Sequence, residues 1–113
     1  MVEKGHYFYV LYCKDDSLYA GYTNDLEQRL ATHNAGQGAK YTRPKSRRPL
    51  KLIYAELWPS QRQAMQQEYR FKQFRRLKKE AYLNQYRCRP LSDKEFILRN
   101  WKELGLSADS TEL

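Results

Sequence analysis

At 113 residues, 41% hydrophobic and 30% charged, the chain holds enough apolar material for one modest core and a well-solvated surface. A net charge of +8 points to a polyanionic partner. No apolar run approaches the ~20 residues of a bilayer span, the first residues carry no signal-peptide core, and two cysteines cannot make a disulfide framework, so a cytoplasmic protein with reduced thiols and no membrane partner is expected.

Residues 6–13 read as a strand that is apolar on both faces, as suits a strand covered on two sides. Lys14-Asp15-Asp16-Ser17 is a turn, since Asp tolerates the left-handed region and bonds its own backbone. Residues 18–23 return as the hairpin partner. Thr23 or Asn24 then caps a helix over 25–34, with Asp25 and Glu27 at its positive end. Gly36, Gly38, Pro44 and Pro49 make 35–49 a loop, and 50–57 is a third, richly apolar strand.

Pro59 ends that strand, and Ser60 with Gln63 forms a capping box opening a helix to about Phe74. The pattern continues as helix through 78–86 after a bend at Arg75, until Arg89-Pro90 breaks it. A second capping box, Ser92 with Glu95, predicts a helix from Asp93 to Leu104 ended by Gly105 and followed by a polar, disordered tail. The order β-β-α-β-α-α predicts an α+β domain, a small three-stranded antiparallel-type sheet flanked by helices. Residues 1–90 form the domain and 91–113 a C-terminal helix and tail.

The positive charge is patterned. Residues 40–51 hold Lys40, Arg43, Lys45, Arg47, Arg48 and Lys51 with no acid, and 69–89 hold eight Lys and Arg against Glu80 alone. Tyr41, Tyr69, Phe71 and Phe74 interleave with them, a pattern that fits a nucleic-acid surface. A solubilising basic shell is the plainer alternative. On a helical wheel Glu68 falls inside the apolar stripe of Ala64, Met65 and Phe71, where an isolated carboxylate is costly to bury. It needs Lys72, a cation such as Arg29, or a divalent metal. Arg29 and His33, at i and i+4, flank the Leu26–Leu30 side of the first helix and sit at the rim of the core. Arginine presents a planar fork to phosphate, and histidine can move a proton. Tyr9 and Tyr19 lie ten residues apart on the two hairpin strands. To share a site they must share a sheet face, which requires a connection of odd length or a bulge near Gly21.

The stretch YFYVLYCKDDSLYAGYTNDLEQRLATH, Tyr7 to His33, resembles the GIY-YIG endonuclease superfamily, specifically its small stand-alone bacterial members. The likeness runs to about Leu83 and is strongest at Tyr19-Ala20-Gly21, Arg29, His33 and Glu68. Tyr7-Phe8 stands where the family name has Gly-Ile, Ala20 replaces Ile, and Asn84 is the candidate for a late asparagine. The resemblance implies that Tyr9 acts as general base or proton relay to water and that Tyr19 helps position the phosphate. It implies that Arg29 stabilises transition-state charge with His33 in support, and that Glu68 binds Mg²⁺ or Mn²⁺. Gly36 to Arg43 is similar to the family's glycine-rich basic loop, so Lys40, Tyr41, Arg43, Lys45, Arg47, Arg48 and Lys72 are expected to bind nucleic acid, DNA rather than RNA. The expected activity is structure-directed phosphodiester hydrolysis in repair or recombination. A non-catalytic basic module that docks nucleic acid on the same fold is the alternative.

Overall fold

Side chains alternate along β1 (His6–Tyr12), and both of its faces are buried. The computed structural model describes residues 3–85 and 91–102. β1 is central and pairs antiparallel with β2 (Leu18–Thr23) on one side and β3 (Lys51–Trp58) on the other. Phe8, Val10 and Tyr12 meet Ala64, Phe71 and Leu83, brought by α2 (Gln61–Lys72) and α3 (Arg76–Asn84). Tyr7, Tyr9 and Leu11 meet Leu26 and Leu30 of α1 (Leu26–Asn34) on the opposite face. The sheet is therefore covered on both sides, as the doubly apolar strand requires.

The hairpin connection is five residues, Cys13 to Ser17, with Asp16 in the left-handed region at φ 68° and Asp15 bonding the backbone and hydroxyl of Ser17. Its odd length sets Tyr9 opposite Gly21 and Tyr19 opposite Leu11, so both tyrosines share the α1 face. No bulge is needed at Gly21. The irregularity lies on the β1–β3 side, where Val10 pairs with Tyr54 and Leu11 with Leu52, leaving Ile53 as the extra residue.

Three expectations are corrected. The α1 cap is Asp25, whose side chain accepts from the Gln28 amide, while Thr23 Oγ1 accepts from the Asp25 amide. The sheet has four strands in the order β2-β1-β3-β4, the last being β4 (Ile97–Asn100), parallel to β3. The predicted Asp93–Leu104 helix is thus replaced over 97–100 by a strand. A capping box is a local preference. The free ladder along β3 offers Ile97-Leu98 a full row of backbone partners, extended by the Trp101 amide donating to Leu57 O at 2.9 Å, and it wins. Leu104, Gly105 and the tail lie outside the described residues, as do Tyr86 to Pro90. The long helix divides as expected, α2 ending at Lys72 and α3 starting at Arg76.

Candidate active site

With β4 on the far side, β2 is the sheet edge, and the candidate residues gather around that edge. Tyr9 can lie flat over β2 because its partner there is Gly21. A Cβ on Gly21 would stand 2.5 Å from the Tyr9 hydroxyl oxygen. Gly21→Ala should therefore displace the Tyr9 ring and lower stability by about 1–3 kcal/mol, read by thermal unfolding. The His33 ring resonances should move with it in the NMR spectrum.

The α1 face carries the next two groups. Arg29 Nε donates to the Tyr9 hydroxyl oxygen at 3.3 Å, and that hydroxyl lies 2.9 Å from His33 Nε2. His33 is fully buried, one of the few polar side chains to be so. Its Nδ1 is 2.7 Å from Thr42 Oγ1, which itself donates to Ala39 O at 3.0 Å. These directions fix the tautomer. The Thr42 proton is committed to Ala39, so Thr42 accepts from His33 Nδ1–H, which leaves Nε2 as the acceptor of the Tyr9 proton. Gly38 lets the loop close over this ring, since a Cβ there would come within 2.4 Å of Nδ1.

Burial holds the His33 imidazole down at about 4, with the Arg29 guanidinium adding to the effect, so His33 is a neutral acceptor at pH 7. Burial also pushes the Tyr9 phenol up to about 12, against the hydrogen bond from Arg29 and with the Glu68 carboxylate and Tyr19 opposing ionisation. Tyr9 is thus a neutral phenol whose proton is already aimed at a base. The arrangement is a proton path rather than a standing phenolate.

Tyr19 joins the two layers. Its ring centroid is 6.5 Å from Tyr9, 5.2 Å from His33 and 6.0 Å from a stacked Tyr41. Lys72 reaches it from α2, with Nζ 5.4 Å from the ring centroid. Lys72 also pairs with Glu68 at 2.6 Å, and the Glu68 side chain is only 17% exposed. Among the described residues no three His, Cys, Asp or Glu side chains cluster. A divalent ion would therefore be held by Glu68 with water and substrate oxygens. That donor set fits Mg²⁺ or Mn²⁺, which accept one hard carboxylate oxygen and keep several waters. The Lys72 ammonium already pairs with this carboxylate, so a metal bound there would share or displace it.

The basic loop divides by role. Lys40, Arg43 and Lys45 are exposed and free to meet a polyanion, with Arg43 anchored by its Nε to Gly38 O at 3.3 Å. Arg47 instead ties the loop down. It pairs with Asp15 at 3.2 Å, donates to Tyr41 O at 2.9 Å, and lies 3.9 Å over the Tyr41 ring. Arg48 is half-buried against Gly36 and donates to Asn34 O at 3.4 Å. Two residues escaped the sequence reading. Thr42 carried no signal, being placed only by the fold of the loop. Glu56 did carry one, as the lone acid in the run Tyr54-Ala55-Glu56-Leu57-Trp58. It is fully buried on the α2–α3 face, accepting from Tyr54 at 2.5 Å, from Trp58 Nε1 at 2.9 Å and from Tyr82.

Comparison with known proteins identifies the family. The GIY-YIG catalytic domain model matches residues 5–82. A UPF0213 protein of Bacillus pumilus is 60% identical over 87 residues, covering 77% of this chain and 87% of that protein. The UPF0213 protein YazA of Bacillus subtilis is 56% identical over 87 residues, covering 77% and 86%. The solution NMR structure of the protein EF2693 from E. faecalis is 48% identical with a TM-score of 0.52, covering 74% of this chain and 88% of that one. The matched span includes the hairpin, α1, the basic loop and Glu68, and on these grounds the chain belongs to the GIY-YIG family, a nuclease superfamily.

Proposed function

We propose that the protein is a divalent-metal-dependent endonuclease that hydrolyses phosphodiester bonds in nucleic acid, DNA in preference to RNA. The observation that carries this reading is the directed chain Arg29–Tyr9–His33–Thr42, buried except at its half-buried Arg29 end, with Glu68 near enough to act on the Tyr9 phenol. Water attacking phosphorus gives its proton to the Tyr9 oxygen as Tyr9 passes its own to His33 Nε2. The low basicity of His33 is partly the work of Arg29. A phosphate drawn to that guanidinium offsets its charge and raises His33, so the base strengthens when substrate is bound. Arg29 supplies fixed positive charge where negative charge gathers, a contribution typically of several kcal/mol. Glu68 would hold Mg²⁺ or Mn²⁺, which when bound lends further positive charge to the departing oxygen. The exposed Lys40, Arg43 and Lys45 offer phosphate contacts, which position a strand without reading its bases. Recognition by structure follows, of the kind used in repair or recombination in the cytoplasm. One observation favours the non-catalytic docking module, namely that Lys72 already neutralises Glu68.

Single-turnover cleavage measured beside a binding titration at fixed salt separates the two. Glu68→Gln should abolish Mg²⁺-dependent cleavage and leave salt-sensitive binding intact. Arg29→Ala should lower the rate far more than the affinity. Wild-type protein that binds tightly and cuts nothing with Mg²⁺ or Mn²⁺ would establish the docking module. Unchanged cleavage by Glu68→Gln would remove Glu68 from the mechanism.

A further inference from the structure

A second depression lies on the outer side of the Tyr19 ring, away from Tyr9 and His33. It has a volume of about 220 Å³ and is lined by Leu18, Tyr19 and Ala20 of the edge strand, by Tyr41, and by Lys72 and Lys79. Lys79 has no part in the chemistry above. It is half-buried on α3, with Nζ 5.7 Å from the Phe71 ring centroid. Burial first, and then the nearby cations Arg76 and Lys72, hold its ammonium below the ordinary lysine value. Arg76 is engaged with Glu80 at 2.7 Å and with Asp16 O at 2.7 Å, and Lys72 with Glu68. A half-buried ammonium facing other cations, at the mouth of a hollow walled mostly by apolar and aromatic groups, is an electrostatic deficit that an anion would relieve. The Tyr19 ring stands between this hollow and the Arg29–Tyr9–His33 chain, so the two places would not hold the same anion. The stacked Tyr41 offers an exposed ring edge at the rim for the attached sugar.

We propose that Lys79, with Lys72 and the edge of Tyr41, forms a second phosphate subsite that holds a phosphodiester neighbouring the scissile one in the same strand. The proposal rests on the nuclease reading for the identity of its ligand, and its test is read from binding so that the two fail separately. The subsite acts on affinity and register, while the chemical step belongs to the other side of Tyr19.

The test uses the full chain without divalent metal and a set of single-stranded and branched DNA oligonucleotides. Each oligonucleotide carries one uncharged methylphosphonate, moved stepwise along the strand, and binding is followed by fluorescence anisotropy over a range of salt. Lys79→Gln should weaken binding about five- to tenfold and reduce the salt slope by about one, and Lys79→Arg should restore both. One methylphosphonate position should weaken wild-type binding and have no further effect on Lys79→Gln, the coupling expected of groups in contact. With Mg²⁺ added, the saturating single-turnover rate of Lys79→Gln should equal that of wild type. Equal losses at every position in both proteins would overturn the subsite and make Lys79 a diffuse charge. A loss that appears only when a terminal phosphate is removed would overturn the assignment to an internal phosphodiester. If wild type binds but never cuts, the nuclease reading falls and the methylphosphonate scan still decides the subsite.

Discussion

Replacing Tyr9 by Phe should lower the single-turnover cleavage rate by about 10²–10⁴-fold, the usual contribution of a positioned proton-transfer group. The ring is buried and tightly placed over Gly21, so Phe keeps the packing and removes only the hydroxyl that links Arg29 to His33. His33→Gln should give a loss of similar size, because an amide can accept the Tyr9 hydrogen bond but cannot take the proton. The double variant should be little worse than either single one, since both break the same path. Independent, multiplicative losses would show that the two side chains do not act in series. The pH dependence follows from the neutral imidazole. With His33 held at about 4, the acid limb contributed by this residue should fall well below pH 6, not near the ordinary histidine value. Between about 4 and the unfolded value near 6.5, the folded chain binds fewer protons at this position than the unfolded one. Stability should therefore rise with pH across that window and be lost as the pH falls through it, by at most about 3 kcal/mol from this residue. His33→Gln should flatten that slope in denaturant titrations run at pH 4.5 and 7.

Glu56→Ala should be the most damaging single change to stability, at about 3–5 kcal/mol, or roughly 15 °C or more in Tm. The Glu56 carboxylate is buried in a cluster of hydrogen bonds, with Arg99 as its register partner on β4. Tyr54 and Trp58 come from its own strand, Tyr82 from α3, and Gln67 of α2 donates to Tyr82 at 2.7 Å. Removing it strands several buried donors at once, and these donors join the sheet to both helices of that face. Burial pushes the Glu56 carboxyl above the usual range, with the hydrogen bonds pulling it back. The stability gained from its tighter proton binding is present at acid pH and is lost as the pH rises through the folded value, the opposite sign to His33. Glu56→Gln, which keeps the volume but turns N–H groups toward existing donors, should fall between Ala and wild type in thermal unfolding. A loss below about 1 kcal/mol for Glu56→Ala would mean that the cluster relaxes or hydrates without cost.

Local periodicity made much of this molecule legible. Strand alternation and an odd hairpin length were enough to ask whether Tyr9 and Tyr19 share a face, and i, i+4 spacing put Arg29 and His33 on one side of α1. The partnership of Glu68 with Lys72 was likewise open to a wheel. What escaped was decided by distant chain. β4 exists because β3 had an open edge, which a capping box far along the chain, at Ser92, cannot reveal. Thr42 meets His33 only because Gly38 lets the loop close over the ring. Arg47 and Arg48 read as phosphate contacts from charge alone, whereas Asp15, Tyr41 and Asn34 give them structural duties.

Under the proposed nuclease reading, the position of the site on the sheet edge governs what a partly folded chain could do. Tyr9, Arg29 and His33 belong to one layer, Glu68 and Lys72 to the other, and they meet only where β2 ends the sheet. A nascent, loosened or clipped chain with either layer undocked has a base without its carboxylate, or a carboxylate without its base. On that reading, completed assembly of both faces would serve as the safety catch on cleavage by partly folded protein.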